Sequence, residues 1–385
     1  MMFTYQKTNR YFAQIAPGLE GFAEQELHNL GGREVKPAYR GIYFSADRAS
    51  LYRINYCSRF CSRILAPLLR FDCHSSKYLY KTARKIEWQA LLTPTTTFAV
   101  SANSSHSHIR HSQYAALTIK DAIADSFLEA LGIRPSVDRL TPDVRLHLHL
   151  ENNKATIYLD TSGGALHRRG YRRESVVAPM QETIAAAVVA YSGWDGNRPL
   201  HDPFCGSGTL LLEALMYYCR IPAGYLRKAF GFQKLPDFEK TLGHRIKEEV
   251  DRQIRPLPCN LIHGSDIDPG AVRAARENAR QLPGGTNISF EVKAYGRLPA
   301  LDNFVILCNP PYGMRLKKHG NTDRLLAEFS QFCKEKCKGS TVSMFLGKKE
   351  LAKCIGLRPA ARQEIRTGGL DGILLRYEIF RETGK

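Results

Sequence analysis

Hydrophobic residues in the first 160 positions follow two spacings, one typical of helices and one typical of strands. Residues 12–31 predict a short strand, a Pro-Gly turn and an amphipathic helix. The apolar side of that helix consists of Leu19, Phe22, Ala23, Leu27 and Leu30. A longer helix is predicted at 112–132, and strand-like runs lie at 41–46, 97–102, 144–150 and 155–160. The pattern predicts two small α/β units in succession.

From Val176 onward, apolar strands alternate with glycine turns and helices, which is typical of a doubly wound parallel sheet with helices on both faces. The predicted strands lie at 197–204, 259–268, 287–294, 303–311, 341–347 and 372–380. Between the two regions, residues 162–175 are interrupted by glycines and are strongly basic, which predicts a linker. Four arginines of this linker are predicted to contact RNA phosphate groups, the alternative being inert positions on the surface: Arg168, Arg169, Arg172 and Arg173.

The chain is strongly basic, with a formal net charge of +18 over 385 residues, and Lys and Arg exceed Asp and Glu in both halves. This length predicts two or three domains. The charge favours a large polyanionic partner such as nucleic acid, because a positive surface without such a partner repels itself. The alternative is that the charge serves only to keep the protein soluble. The polar start and the lack of a long apolar run predict a cytoplasmic protein with no membrane span.

The ten cysteines are scattered through the chain, and disulfides are not expected without a secretory signal. Two pairs, Cys57/Cys61 and Cys333/Cys337, are four residues apart and would share one face of a helix. Because no second pair of cysteines and histidines accompanies either of them, we predict helical core cysteines and no metal site.

A glycine-containing turn follows the first strand of the second region and leads directly into an apolar helix. Its sequence is DPFCGSGT, at 202–209. Gly206 and Gly208 let the backbone approach a ligand closely, and the free N–H groups at the start of the helix can bind a carboxylate. With Asp202 at the strand end, the turn suits the methionine part of a cofactor, although a nucleotide would also fit.

A second acidic residue, Asp266, ends the next predicted strand, where a carboxylate can accept hydrogen bonds from ribose hydroxyls. Asp268 is expected to cap the following helix. Sixty residues separate Gly206 from Asp266, whereas about 20 is usual, which indicates an insertion. The insertion, at about 220–258, is basic and aromatic, and either covers the site or touches the substrate.

The third motif follows the strand that ends at Cys308 and consists of Asn309, Pro310, Pro311, Tyr312 and Gly313. An exocyclic amino group of a base is a poor nucleophile, because its lone pair is delocalised into the ring. An amide oxygen and a backbone carbonyl can accept its two hydrogens and orient it for in-line methyl transfer. The prolines hold the backbone carbonyls in a stiff arc, and the tyrosine can stack on a base turned out of its helix.

These motifs and other stretches resemble one family over nearly the whole chain, the THUMP-containing 23S rRNA guanine-N2 methyltransferases of the RlmL/YpsC type. The shared stretches include LEGFAEQEL near the start, IRHSQYAALTIKDAI at 109–123, LHRRGYRRESVVAPMQETIAAAVV at 166–189, SDIDPGAVRAARENA and NPPYGMRL. The resemblance implies S-adenosyl-L-methionine as cofactor and RNA as partner, either 23S rRNA or a large-subunit precursor. Because the chain stops at Lys385, it resembles the single-activity form of the family.

The resemblance also implies an α/β fold of three parts. Residues 1–45 would be an N-terminal ferredoxin-like segment, 46–161 a THUMP RNA-binding domain, and 162–385 a Rossmann-like, seven-stranded class I methyltransferase domain. The implied cofactor contacts are Thr183, Asp202, Phe204, Gly206, Gly208 and Asp266. The implied catalytic residues, which recognise the target base, are Asn309, Pro310, Pro311 and Tyr312.

One position departs from the family pattern. In the family that the chain resembles, an acidic residue commonly follows the next strand and meets the adenine amino group, but in the stretch 290–298 Lys293 or a neighbour takes that position. A lysine ammonium cannot accept that hydrogen bond.

The leading hypothesis is methyl transfer to N2 of one guanine in 23S rRNA. Two alternatives stay open: an N6-adenine DNA methyltransferase, which shares the Asn-Pro-Pro-Tyr chemistry, and a ribosome-assembly RNA-binding protein with weakened catalysis. The residues do not indicate an oligomeric state.

Overall fold

The computed structural model describes residues 2–174, 180–311, 322–367 and 370–380. The chain divides into two compact units. The first, here the N-terminal unit, comprises Met1–Ile15, Glu24–Leu166 and Arg227–Glu248. The second, here the C-terminal unit, comprises Ala16–Ala23, His167–Leu226 and Glu249–Lys385.

Helices and strands alternate up to residue 160. The helices are α1 (Thr4–Thr8), α2 (Glu20–Asn29), α3 (Arg48–Cys57), α4 (Ser76–Ala83) and α5 (Ser112–Leu131). The strands are β1 (Arg10–Ile15), β2 (Arg33–Ala38), β3 (Gly41–Ser45), β4 (Cys61–Asp72), β5 (Phe98–Ser105), β6 (Val144–Glu151) and β7 (Lys154–Asp160). They form one seven-stranded sheet in the order β2-β3-β1-β4-β7-β6-β5. All pairs are antiparallel except β5 with β6.

The sequence pattern predicts most of these strands because one face of the sheet is buried. In β6, the side chains of Leu146, Leu148 and Leu150 point into the core, whereas His147 and His149 lie on the opposite face. The pattern did not predict β4. Its register shifts between Pro67 and Leu69, and this bulge breaks the alternation of apolar and polar positions.

Part of the predicted insertion belongs to the N-terminal unit, since residues Arg227–Glu248 lie in it. The ring of Phe232 stacks on Tyr52 of α3 with centroids 4.5 Å apart, and its backbone N–H donates to the carbonyl of Thr161 at 2.7 Å. Phe232, one of the aromatic residues of the insertion, therefore packs within the N-terminal unit, and the role of the insertion as a cover or a substrate contact stays a prediction.

The remaining elements follow from residue 182. The helices are α6 (Glu182–Ser192), α7 (Thr209–Tyr218), α8 (Lys240–Asp251), α9 (Pro269–Ala279) and α10 (Thr322–Lys336). The strands are β8 (Leu200–Asp202), β9 (Ile262–Asp266), β10 (Ser289–Val292), β11 (Val305–Cys308), β12 (Thr341–Leu346), β13 (Ala361–Thr367) and β14 (Leu370–Glu378). They form the second seven-stranded sheet, in the order β10-β9-β8-β11-β12-β14-β13.

The doubly wound prediction for this unit is confirmed. Strands β8 to β12 run parallel, while β14 is antiparallel to both of its neighbours. After β8 the chain adds β9 and β10 on one side and later adds β11 and β12 on the other. The carboxyl ends of β8 and β11 thus meet at a topological switch point, where open α/β sheets bind their ligands.

The prediction that both cysteine pairs are helical is wrong for Cys57 and Cys61, because α3 ends at the first and β4 begins at the second. Cys333 lies in α10 and Cys337 just beyond its end, and both are buried. Among the described residues, no group of three or more His, Cys, Asp or Glu side chains is placed to hold a metal ion. Within the same ranges, no helix is long and apolar enough to cross a membrane.

Candidate active site at the switch point

The turn between β8 and α7 has a backbone that requires glycine. Gly206 and Gly208 have φ angles of 53° and 85°, and the N–H of Gly208 donates to the carbonyl of Cys205 at 2.8 Å. A Cβ atom on Gly208 would also lie 3.2 Å from the Cβ of Ala275 in α9. The tight turn leaves the first N–H groups of α7 directed at the carboxyl edge of the sheet, where they can bind an anion.

Asp202 ends β8 and is almost completely buried, with 1% of its surface exposed. Its Oδ1 accepts a hydrogen bond from the N–H of Phe204 at 2.9 Å. Burial raises the pKa of the Asp202 carboxyl well above its usual range, and the nearby Asp266 carboxylate raises it further.

Asp266 ends β9 and links the glycine turn after β8 to the start of α9. Its Oδ2 accepts from the N–H of Gly206 at 2.9 Å, and its Oδ1 accepts from the N–H of Asp268 at 3.0 Å. Burial raises the pKa of the Asp266 carboxyl. Asp268 caps α9 through a hydrogen bond from Gly270 at 2.8 Å, as the sequence predicts.

Ile267 lies directly after Asp266 and was not singled out by the sequence. Its side chain is 70% exposed, an unusual position for an isoleucine beside buried carboxylates. An exposed isoleucine side chain at this position can pack against the face of a flat, partly apolar ring. The sequence signal that could have revealed it is an apolar residue directly after a strand-ending acid and directly before a helix cap.

Lys293 follows β10, and its backbone N–H donates to the carbonyl of Asp266 at 2.9 Å. It therefore lies beside the carboxyl end of β9. Its ammonium group is 3.2 Å from the carboxylate of Glu291. This position thus carries a cation paired with a carboxylate two residues earlier in the chain.

Asn309 follows β11 at the other side of the switch point. Within residues 2–174, 180–311, 322–367 and 370–380, its Oδ1 atom is buried and accepts no hydrogen bond. Leaving a buried acceptor unpaired costs roughly 1–3 kcal/mol, which identifies a group that awaits a donor. Pro310 is buried and Pro311 half-buried. Tyr312, the fourth predicted residue of this motif, lies outside the described residues.

Thr183 and Phe204, the other predicted cofactor contacts, are both in the C-terminal unit. Thr183 is buried in the first turn of α6. The Phe204 ring packs against Tyr295 and Phe329, with centroid distances of 5.3 and 5.0 Å. Their contact with a cofactor stays a prediction.

The prediction that Arg169 contacts RNA phosphate is wrong. Its side chain is fully buried, and its Nε and Nη2 atoms lie 3.2 and 3.4 Å from the carboxylate of Glu213 on α7. Tyr171 donates to the same carboxylate at 3.1 Å. A guanidinium that is enclosed and paired in this way cannot reach a phosphate in solvent.

Arg172 is also a structural residue rather than a surface cation. Its guanidinium donates to Glu182 on α6 at 3.0 Å, to Thr209 at 3.2 Å and to Ser207 at 3.4 Å. It therefore links the start of α6 to the glycine turn. These internal acceptors correct the prediction of a phosphate contact for this residue.

Arg168 and Arg173 have exposed side chains. The Nε of Arg173 donates to Gln281 at 3.2 Å, which leaves much of its guanidinium facing solvent. For these two arginines, contact with RNA phosphate stays a prediction.

The strand order, the glycine turn and the two strand-ending carboxylates define a class I, S-adenosylmethionine-dependent methyltransferase fold. Residues 169–376 match the family described as RMKL-like, methyltransferase domain, and the chain belongs to that family. Residues 73–160 match a THUMP domain, and residues 10–65 match the RlmL ferredoxin-like domain. The domain boundaries at 45 and 161 stay predictions.

Two curated relatives illustrate the likeness in sequence. A putative RNA methyltransferase of Synechocystis sp. is 37% identical over 97% of this chain and 97% of its own length. The ribosomal RNA large subunit methyltransferase K/L of Photobacterium profundum is 36% identical over 96% of this chain. The chain spans about half of that relative's length, 53%.

Two solved structures show the same fold over the whole chain. One is a putative methyltransferase complexed with SAH, which is 26% identical with a TM-score of 0.84, covering 97% of this chain and 98% of its own. The other is a possible methylase from Clostridium difficile, also 26% identical with a TM-score of 0.84, covering 98% of this chain and 100% of its own.

Proposed function

We propose that the protein transfers a methyl group from S-adenosylmethionine to N2 of a guanine in 23S rRNA. The observation that carries the proposal is the Oδ1 of Asn309, directly after β11, which is buried and has no hydrogen-bond partner within the described part of the chain. Membership of the RMKL-like methyltransferases and the THUMP match support an RNA substrate. The large-subunit relatives support rRNA, and the family resemblance supports guanine.

The chemistry of the acceptor follows from Asn309 and Pro310. A nucleobase amino group is planar and weakly nucleophilic, because its lone pair is shared with the ring. When its two N–H groups donate to the Asn309 side-chain oxygen and the Pro310 carbonyl, the nitrogen is fixed for attack in line with the leaving sulfur. The same acceptors stabilise the positive charge that develops on nitrogen during transfer.

The C-terminal unit carries groups that fit S-adenosylmethionine, which supplies an electrophilic methyl on a sulfonium when bound. The glycine turn and the start of α7 would bind its methionine carboxylate. Asp266 would accept from the ribose hydroxyls, and Ile267 would lie against the adenine ring. Asp202, at the end of β8, holds the turn through Phe204. Each group thus has a property that its proposed contact requires: positive φ angles in the glycine turn, burial of the carboxylates, and exposure of the Ile267 side chain.

The cofactor assignment makes Asp266→Asn informative, because the amide retains the shape of the carboxylate but loses its charge and one acceptor. A hydrogen bond to a charged group contributes about 2 kcal/mol, so we expect the Kd for S-adenosylmethionine to rise roughly 30-fold. Isothermal titration calorimetry measures the change.

Asp268→Asn is the matched control, because asparagine caps a helix as well as aspartate does and the affinity should stay within twofold of wild type. Equal affinity in the two variants would contradict the role given to Asp266. Micromolar affinity in the wild-type protein would argue against an RNA-binding protein with weakened catalysis.

The substrate is tested by mass spectrometry of rRNA nucleosides from strains with and without the gene. We expect N2-methylguanosine to disappear from one position of 23S rRNA in the deletion strain, and primer extension then maps the nucleotide. An unchanged N2-methylguanosine content at every site would refute the proposal. Methyl transfer by the purified protein to duplex DNA, but not to rRNA, would favour the N6-adenine alternative.

A further inference from the structure

Two aromatic rings lie side by side on one face of the sheet of the N-terminal unit. Phe12 of β1 is paired with Tyr43 of β3, and their ring centroids are 4.9 Å apart. Gly41 makes this possible, because a Cβ at that position would lie 2.3 Å from Cζ of Phe12. The Phe12 ring therefore occupies space beside β3 that any other residue would fill, and it supports the Tyr43 ring from one side.

Tyr43 is 43% exposed, which is unusual for a tyrosine in the interior of a seven-stranded sheet. It lines a cavity of about 360 Å³ that also contacts Thr4 and Thr8 of α1, Pro67 of β4 and Tyr158 of β7. This volume is within the range of small-ligand pockets. The cavity thus offers one open aromatic face together with a bounded space beside it.

The charged residues around this cavity are mainly cations. Arg10, Lys36 and Arg70 line it together with a single carboxylate, that of Glu34. Glu34 pairs with Arg10 at 3.1 Å. Lys36 and Arg70 have exposed side chains, so two cations lie at the surface beside an exposed aromatic ring.

We infer that this face binds single-stranded RNA, with one unpaired base stacked on Tyr43 and the adjoining phosphates near Lys36 and Arg70. Unpaired bases are recognised by stacking on aromatic side chains, and the flanking phosphates by Lys and Arg. The net charge of +18 adds a general attraction for a polyanion. The inference rests on the proposed RNA substrate and assigns to the N-terminal unit a contact separate from methyl transfer.

The test measures binding of a fluorescent, unstructured RNA heptanucleotide to the full chain by anisotropy at two salt concentrations. We expect Tyr43→Ala to weaken binding about tenfold, because stacking on one aromatic side chain contributes about that factor. Tyr43→Phe keeps the ring and should bind as wild type. Arg70→Gln should weaken binding. It should also reduce the slope of log affinity against log salt by the amount expected for about one phosphate contact.

Tyr217→Ala is the matched control, because Tyr217 on α7 is 46% exposed but does not line this cavity. Its affinity for the RNA should equal that of wild type. Calorimetry with S-adenosylmethionine should give the same Kd for Tyr43→Ala and wild type, which shows that the C-terminal unit is intact.

Equal RNA affinity in Tyr43→Ala and wild type would overturn the inference and leave the proposed methyl transfer standing. Conversely, if binding depends on Tyr43 while rRNA nucleosides are unchanged in the deletion strain, the proposed function fails and the RNA contact stands. A loss of RNA affinity in Tyr217→Ala as large as that in Tyr43→Ala would also overturn the inference, because it would show that the RNA does not bind specifically at this face.

Discussion

Replacing Asn309 with alanine is expected to reduce the rate of methyl transfer about 10²–10³-fold while the Kd for S-adenosylmethionine changes less than about twofold. The buried Oδ1 of Asn309 has no partner among the described residues, so its removal should take away the acceptor proposed for the target amino group without breaking any hydrogen bond that the described residues make to this oxygen. Single-turnover kinetics on rRNA and calorimetry with the cofactor measure the two quantities.

Asn309→Asp is the control for this prediction, because aspartate keeps an oxygen acceptor at the same position. It should retain more activity than Asn309→Ala. If Asn309→Ala loses cofactor affinity and turnover together, Asn309 supports the site structurally and does not act on the base. If the alanine variant transfers methyl groups at the wild-type rate, the proposed acceptor role is wrong.

Glu213→Gln is expected to lower the free energy of unfolding of the C-terminal unit by about 3–5 kcal/mol. The guanidinium of Arg169 is fully buried, and the Glu213 carboxylate lies 3.2 Å from its Nε. Neutralising the acid leaves a charged group in a medium of low polarity. The same change removes the charged acceptor of the Tyr171 hydroxyl, which donates at 3.1 Å.

Urea unfolding followed by the fluorescence of Trp194 measures this effect, with Trp88→Phe as a common background so that the signal comes from the C-terminal unit alone. Glu328→Gln is the control, since Glu328 pairs with Arg324 on the surface of α10 and its loss should change the free energy by less than about 0.5 kcal/mol. A similar effect in both variants would show that the buried pair contributes no more than a surface pair.

Strands β8, β11 and β12 of the C-terminal unit were predictable from sequence because they are buried on both faces. Strand β11 is a short apolar run followed directly by Asn309, and β9 ends in Asp266; a parallel sheet brings such strand ends together at one edge. The glycine turn was recognisable for a different reason. Positive φ angles at Gly206 and Gly208 leave few other residues acceptable there.

The roles of the linker arginines could not be predicted from the linker. Arg169 and Arg172 lie in a stretch whose local sequence is typical of a solvated, basic segment. Their partners Glu213 and Glu182 lie 44 and 10 residues further along the chain, on helices that are otherwise apolar. Only the fold reveals that each buried acid is matched by an arginine.

The same distance in sequence explains why the contacts of the insertion could not be predicted. A basic, aromatic segment is typical of a substrate contact, and nothing in residues 220–258 indicates that Phe232 stacks on Tyr52, some 180 residues earlier. Burial of an aromatic ring against a distant helix leaves no local periodicity to detect.

The two linker arginines also determine where a working catalytic fragment can begin. A fragment that starts at Val176, where the strand-and-helix pattern of the second region begins, would omit both arginines and leave Glu182 and Glu213 without their cations. It would also lose the guanidinium that ties α6 to the glycine turn. A truncation should therefore keep both arginines, although a start at His167 would still omit Ala16–Ala23, the other N-terminal part of the same unit.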